Sequence, residues 1–345
     1  MALSLIVNAG LMALPIGGCL GTLFGIDAHR AATGQKPLFA PNPNDPDENL
    51  GVGTGGGSGG GQDSTGGGSG GSGSGDVSDN GIQNTQYCQL SYGISPPSKD
   101  GESFTLNPNQ WGVTDTSVGG LCMNVTTFNN MTYPTQYTAP DFSVTWKWNP
   151  GPQTDPVHAF PNIMVDKVLP VGLDDMQELY FNVHWTYGVG DEIVEKTDED
   201  ELESNSVNTN VAIDMFFDSD KETALNSTNA KYEVMIWFAT FGAATQPYGY
   251  PNVVTTRELN GTTFKLYSEK NKNTNQNVLT WAAEETVEQF SGDIYPLITD
   301  LYKLKGDVYP SSEDYLGYFG FGSEAFSASK NVTLGVTNLE IGIKT

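Results

Sequence analysis

The ten residues Lys231-Tyr232-Glu233-Val234-Met235-Ile236-Trp237-Phe238-Ala239-Thr240 contain no glycine and no proline, and are dense in β-branched and aromatic side chains. Such a run forms a strand, and a strand sends alternate side chains to opposite faces. Val234, Ile236 and Phe238 therefore share a face suited to a core, while Glu233, Met235 and Trp237 share the other. A carboxylate beside a thioether and an indole suits neither open solvent nor a closed core, because a buried charge must be paired or protonated. Two placements remain: an edge-strand Glu beside a surface aromatic, or the floor of a cleft.

On both sides of this segment, from about Asn84 to the C-terminus, short runs rich in Val, Thr, Tyr and Phe alternate with Asn, Gly and Pro. This pattern predicts strands at Phe142–Trp148, Leu179–Thr186, Val211–Phe217, Tyr232–Ala239, Phe264–Tyr267, Val278–Ala282, Tyr315–Phe321 and Val332–Ile343. One late helix is expected, with Asp293 as its cap, Ile294, Leu297, Ile298 and Leu301 at helical spacing, and Gly306 closing it. Many strands with a single helix predict an all-β sandwich with either a solvent face or a concave binding face. Asp191–Glu203 carries eight acidic residues and one Lys, which predicts a solvated loop, with a calcium loop as the alternative.

Residues Leu3 to Ile26 are almost free of charge and long enough for a secretory apolar region or a single membrane span. No Lys or Arg precedes them, so 1–28 reads as a signal peptide or a retained anchor. In Gly51–Gly75, 15 of 25 residues are Gly, and 29–83 reads as a flexible linker before a folded domain at 84–345. Sixteen Lys+Arg against 41 Asp+Glu give a net charge of −25, which repels nucleic acid and anionic membranes but not neutral polymers such as carbohydrate. Of the three cysteines, Cys19 lies in the apolar segment, which leaves Cys88 and Cys122 as the expected disulfide. Asn124, Asn130, Asn226, Asn260 and Asn331 head Asn-X-Thr glycosylation acceptors, the composition of a secreted protein from a eukaryote.

His29, His158 and His184 show no metal-ligand spacing, and neither a nucleophile elbow nor a phosphate loop opens a helix. Metal, serine-triad and nucleotide chemistry are disfavoured. Carboxylates remain, and glycoside hydrolysis needs two of them across a sugar-sized gap. The second candidate is Glu324 in Gly320-Phe-Gly-Ser-Glu-Ala-Phe326. If that segment is one strand, Gly320, Gly322, Glu324 and Phe326 share a face, and the glycines admit either a close ligand or a tight sheet contact.

Tyr-Glu-Val-Met-Ile-Trp at 232–237, followed some ninety residues later by Gly-Ser-Glu-Ala-Phe at 322–326, resembles the two signature segments of glycoside hydrolase family 12. Asn-Gln-Trp-Gly at 109–112, Phe-Pro-Asn at 160–162, Asn-Val-Ala-Ile-Asp at 210–214, Phe-Ser-Gly-Asp at 290–293 and the closing Leu-Gly-Val-Thr-Asn strand extend the resemblance in the family's order over about 86–345. It implies a β-jelly-roll that cuts internal β-1,4 bonds of cellulose, mixed-linkage glucan or xyloglucan with retention, without cofactor or metal, as a monomer. By it, Glu233 is the expected nucleophile, Glu324 the general acid/base and Asp214 the carboxyl partner of Glu233. Trp111 and Trp237 match sugar-site positions, with Asn109, Asn162, Met235 and Phe326 expected beside them as substrate-binding residues. The chain departs from the family in three places: Ser323-Glu324-Ala325 stands where Thr-Glu-Pro is commoner, 246–251 is longer than the usual turn, and 191–203 looks inserted. Parity supports the acid assignment separately, since Asp214 points opposite Ile213 and Met215 and so toward the side of Glu233.

Overall fold

Alternation of the kind seen at 231–240 recurs along the chain and, in a computed structural model, assembles two sheets. The structure describes residues 81–345, apart from 90–92, 97, 99–102, 111, 114–116 and 152–155. The smaller sheet runs in the order β1 (Ile82–Cys88), β3 (Gly119–Phe128), β4 (Phe142–Trp148), β16 (Val332–Lys344), β7 (Glu178–Val189) and β13 (Gln289–Asp293). The larger runs β10 (Thr255–Leu259), β11 (Thr262–Lys270), β12 (Asn277–Ala283), β9 (Tyr232–Phe241), β8 (Asn208–Asp218), β14 (Tyr315–Gly322), β5 (Asn162–Val165) and β2 (Phe104–Asn107). Two short strands extend it, β6 (Val171–Gly172) on β14 and β15 (Ala325–Ser327) on β8.

The core lies between the sheets. Val234, Ile236 and Phe238 of β9 are fully buried there, with the Phe238 ring 5.4 Å from Phe181 of β7 and 6.3 Å from Phe321 of β14. Burying each such side chain contributes about 1.5–3 kcal/mol, so strands that alternate strongly settle with one defined face inward. Met235 and Trp237 belong instead to a separate apolar cluster on the outer face, with Ala212, Tyr267, Val278 and Ala282.

All eight expected strands lie within observed ones. The helix expected after Asp293 spans Tyr295–Lys303 (α3 below) and buries Leu297, Ile298 and Leu301; its N-cap is Ile294 rather than Asp293, whose Oδ1 accepts from the Tyr295 amide at 2.9 Å, and Leu304 rather than Gly306 ends it. The acidic segment is not the open loop expected. Its second half folds into helix α1 (Glu199–Ser204), because Asp198 Oδ1 accepts from the Glu201 amide at 3.0 Å, the acids of the first turn complement the helix N-terminus, and Leu202 is buried. Its first half lies across the smaller sheet, with Val194 against Gly188 and Ile193 against Gly335, where a β-carbon would come within 2.4 and 2.5 Å of them. No group of three His, Cys, Asp or Glu able to hold a metal occurs among the described residues. A second short helix, α2 (Lys221–Ala224), follows β8 and is capped by Asp220.

Cys88 and Cys122 are bonded, directly opposite one another in the β1–β3 ladder. The first strand begins at Ile82, two residues before the expected start of the domain. Cys19, the 1–28 segment and the Gly-rich linker lie outside the described residues.

Candidate active site

β8 and β9 run antiparallel with Asp214 opposite Met235 and Phe216 opposite Glu233. Asp214 and Glu233 therefore lie diagonally on the same outer face, within side-chain reach. Glu324 reaches them from the turn between β14 and β15. The single strand expected over Gly320–Phe326 is broken at 323–324: the Ser323 amide donates to Pro161 O at 3.2 Å and the Glu324 amide to Asn210 Oδ1 at 2.9 Å. Gly322 answers the tight-contact alternative, since a β-carbon there would lie 2.0 Å from Pro161 O.

All three acids are almost wholly enclosed, Asp214 at 0%, Glu233 at 1% and Glu324 at 3% exposure. Burial pushes Glu324 up to about 7, against the opposing pull of its Asn210 hydrogen bond. Burial raises Glu233 well above the usual carboxyl range, and the charges of Asp214 and Glu324 add to it. Asp214 is raised in the same way, by burial first and then by Glu324, with the nearby Met215 amide opposing. Adjacent buried carboxylates cannot all ionise, so the empty site holds protons at neutral pH. Among the described residues neither Asp214 oxygen nor Glu233 Oε2 has a hydrogen-bond partner within ordinary geometry.

Glu324 is held at three points. Asn210 Nδ2 donates to its carboxylate at 2.5 Å, Asn210 Oδ1 accepts its amide, and Thr209 Oγ1 donates to its carbonyl at 2.7 Å. Behind Thr209 stand Ser323 Oγ at 2.7 Å, Tyr187 Oη 3.2 Å from Ser323, and Trp146 Nε1, which donates to Tyr187 at 2.5 Å. An indole N–H can only donate and a carbonyl can only accept, so the ends set the direction. Trp146 donates to Tyr187 at one end and Thr209 to the Glu324 carbonyl at the other, with Ser323 between them and Tyr187 Oη also 3.4 Å from Thr209 Oγ1.

Of the expected substrate-binding residues, Met235 and Trp237 lie beside Glu233, but both are buried, at 4% and 1%, and Trp237 Nε1 donates to Met235 Sδ at 3.3 Å. Asn162 is fully buried and its amide donates to Phe160 O at 2.7 Å, while its oxygen faces Tyr318 Oη at 3.5 Å. Asn109 is buried at 2% with φ +44° and an unpartnered Nδ2. Phe326 is buried and its carbonyl bonds His158 Nδ1 at 2.9 Å, the His158 ring stacking 5.2 Å from Trp148. Trp111 lies outside the described residues.

Sequence reasoning assigned no role to Asn210, Thr209, Tyr187, Tyr318 or Tyr248. Asn210 had a signal, since 210, 212 and 214 share a strand face. Tyr318, buried over Phe216 at 5.4 Å, is raised well above the phenol range by burial and by Asp214. Tyr248 is raised by burial and by the charges of Glu233, Glu269 and Glu324.

A two-sheet fold carrying three enclosed carboxyls on one outer face, beside aromatic side chains, is the framework of a carboxylate-dependent glycoside hydrolase. The chain belongs to glycosyl hydrolase family 12, whose family model matches residues 102–344. It is 28% identical over 241 residues to xyloglucan-specific endo-beta-1,4-glucanase A of Aspergillus aculeatus, covering 70% of this chain and 86% of that protein. An inactive glycoside hydrolase, XLP1 of Phytophthora nicotianae, is 34% identical over 126 residues, 36% of this chain and 49% of that one. The fold matches endoglucanase 3 of Trichoderma harzianum with a TM-score of 0.59 at 23% identity, over 77% of this chain and 99% of that one. It also matches a family 12 xyloglucanase from Bacillus licheniformis with a TM-score of 0.55 at 15% identity, over 75% and 99% of the two chains. The architecture is the jelly-roll sandwich of that family.

Proposed function

We propose that this domain is a retaining endo-β-1,4-glucanase that acts on cellulose-type glucan chains. The observation that carries the reading is the enclosure of Asp214, Glu233 and Glu324 on one face. Protonated Glu324 gives its proton to the glycosidic oxygen as that bond breaks, while the Glu233 carboxylate bonds the anomeric carbon. Glu324, now ionised, then takes a proton from water, whose oxygen attacks the anomeric carbon and releases Glu233. A proton residing on Asp214 lets Glu233 carry the negative charge that attack requires, and a value near 7 keeps Glu324 protonated in mildly acidic solution.

Release of reducing ends from carboxymethyl cellulose and barley glucan by the wild type, and its loss in Glu233→Gln and Glu324→Gln, is the expected result. A xyloglucan-specific enzyme is the second reading, favoured by relatives such as the Aspergillus aculeatus enzyme. Tamarind xyloglucan cleaved much faster than unbranched glucan would establish it. The relative described as inactive motivates a third, non-catalytic glucan-binding reading. Retention of all three acids argues against it, and binding without release of reducing ends would support it.

The disulfide, together with acceptors exposed at Asn130, Asn260 and Asn331 and half-buried at Asn124 and Asn226, supports a secreted or surface-tethered protein. Glycopeptide mass spectrometry of the secreted protein tests that placement.

A further inference from the structure

Trp237 is where a sugar platform is expected, yet its ring is 1% exposed and its N–H is already given to Met235. Neither the face nor the edge of this indole is available to a ligand. What packs against the Met235–Trp237 cluster is Tyr248, from the loop that joins β9 to β10 over 242–254. This is the segment that is longer than the family's usual turn.

The loop is seated on the sheet. Gly249 has φ +90°, and a β-carbon there would lie 2.6 Å from Ser268 O of β11, so only glycine lets the chain approach so closely. The Tyr250 amide donates to Pro247 O at 3.1 Å and the Asn252 amide to Gly249 O at 2.9 Å, closing the turn on itself. At the loop's start the Ala244 amide donates to Asn208 Oδ1 at 2.9 Å.

Two tyrosines result with complementary surfaces. Tyr248 is half-buried, and among the described residues its hydroxyl has no hydrogen-bond partner, although Glu233 and Glu324 lie close enough for their charges to act on it. Tyr250 is 51% exposed, with its ring 5.8 Å from that of Tyr267 on β11. Val253 and Val254 beside it are 45% and 41% exposed. Lys265, Tyr267 and Glu269 alternate onto one face of β11, so hydrogen-bonding groups border the ring pair. An exposed ring bordered by polar side chains suits a pyranose, which has apolar C–H faces and a rim of hydroxyls.

We propose that the 242–254 loop builds a glucosyl-binding subsite next to Glu233, in which Tyr248 and Tyr250 contact the β-1,4-glucan in place of the covered Trp237. Tyr248 donates its free hydroxyl to a hydroxyl of the sugar nearest the carboxyls, and Tyr250 stacks on the neighbouring sugar. The assignment rests on the glucanase reading, and its test keeps the two apart.

Steady-state hydrolysis of cellohexaose by the full chain is compared with Tyr248→Phe, Tyr248→Ala and Tyr250→Ala, with melting curves recorded for each. Tyr248→Phe keeps the packing on Met235 and Trp237, so it isolates the hydroxyl even if the alanine variant fails to fold. Tyr248→Phe should lower kcat/KM about 5-fold, the worth of one hydrogen bond. Tyr250→Ala should raise KM about 3- to 10-fold with kcat nearly unchanged, and should shift which bond of cellohexaose is cut. Folded variants that match the wild type in kcat/KM and in product pattern would overturn the subsite. If the wild type cleaves no glucan, the glucanase reading fails on its own, and calorimetric titration with cellohexaose decides the subsite. Binding weakened by Tyr250→Ala then supports it, and binding unchanged, or absent from the wild type, overturns it.

Discussion

Asp214 shows how far one residue's role follows from strand parity. Its neighbours Ile213 and Met215 are fully buried in the main core, which forces the carboxyl to the outer face beside Glu233. Asn in its place could still donate to Glu233 but could not exchange a titrating proton. Asp214→Asn should lower kcat about 10- to 1,000-fold and move the acidic limb of the pH–rate profile. Unchanged kcat and an unchanged profile would remove Asp214 from the site. Glu324 sets the other limb: as a general acid it must be protonated, so kcat/KM should fall as pH rises through about 7. The hydroxyl chain behind it was not legible, because Tyr187 and Ser323 are 136 positions apart and only folding brings them together. Thr209→Val removes the side-chain donor of the Glu324 carbonyl and one of the two hydroxyl partners of Ser323, which should cost about 1–3 kcal/mol of stability, read from a denaturant midpoint.

Element by element, legibility followed how sharply each strand's two faces differ. Central strands such as β8 and β9 alternate between a core and an outer face that are both enclosed, and their sequences are mostly apolar or aromatic, interrupted on the outer face by Asp214 and Glu233. Of the strands not expected, β2, β5, β6, β10, β13 and β15 are too short to show a pattern, while edge strand β1 and its neighbour β3 carry Gln, Asn and Thr at exposed or half-buried positions. Helix α1 was missed because its run of like charges reads as solvated, whereas the Asp198 cap and the single buried Leu202 suffice to form it. The Cys88–Cys122 bridge ties edge strand β1 to β3 across a sequence separation of 34. In the chain-entropy account, replacing both cysteines by Ala should cost about 4 kcal/mol. Equal denaturant midpoints for the two proteins would show that the edge strand needs no tether.

At the scale of the whole molecule, carboxyls raised by burial couple stability to pH, the three of the site together with Asp141 and Asp166. A carboxyl that binds its proton more tightly when folded contributes most at low pH, and stability falls as pH rises from the unfolded value toward the folded one. For Glu324 that window runs from 4.5 to about 7 and corresponds to about 3 kcal/mol. The melting temperature should therefore fall between pH 5 and pH 8, and fall less in Glu324→Gln. An identical fall in both proteins would assign the effect to the other raised carboxyls and to the general repulsion of a chain with a net charge of −25. Among the described residues the first element begins at Ile82, and a chain starting at Gly81 should keep its turnover on soluble glucan. A large loss of turnover in a folded truncated protein would place part of the site in the N-terminal segment.

The most direct test of the central claim, that Glu233 attacks the anomeric carbon while Glu324 supplies and reclaims the proton, is proton NMR of barley glucan during the first minutes of hydrolysis. Double displacement predicts that the new reducing ends appear first as the β-anomer, with the α-anomer growing in only by mutarotation. Early accumulation of the α-anomer would contradict it.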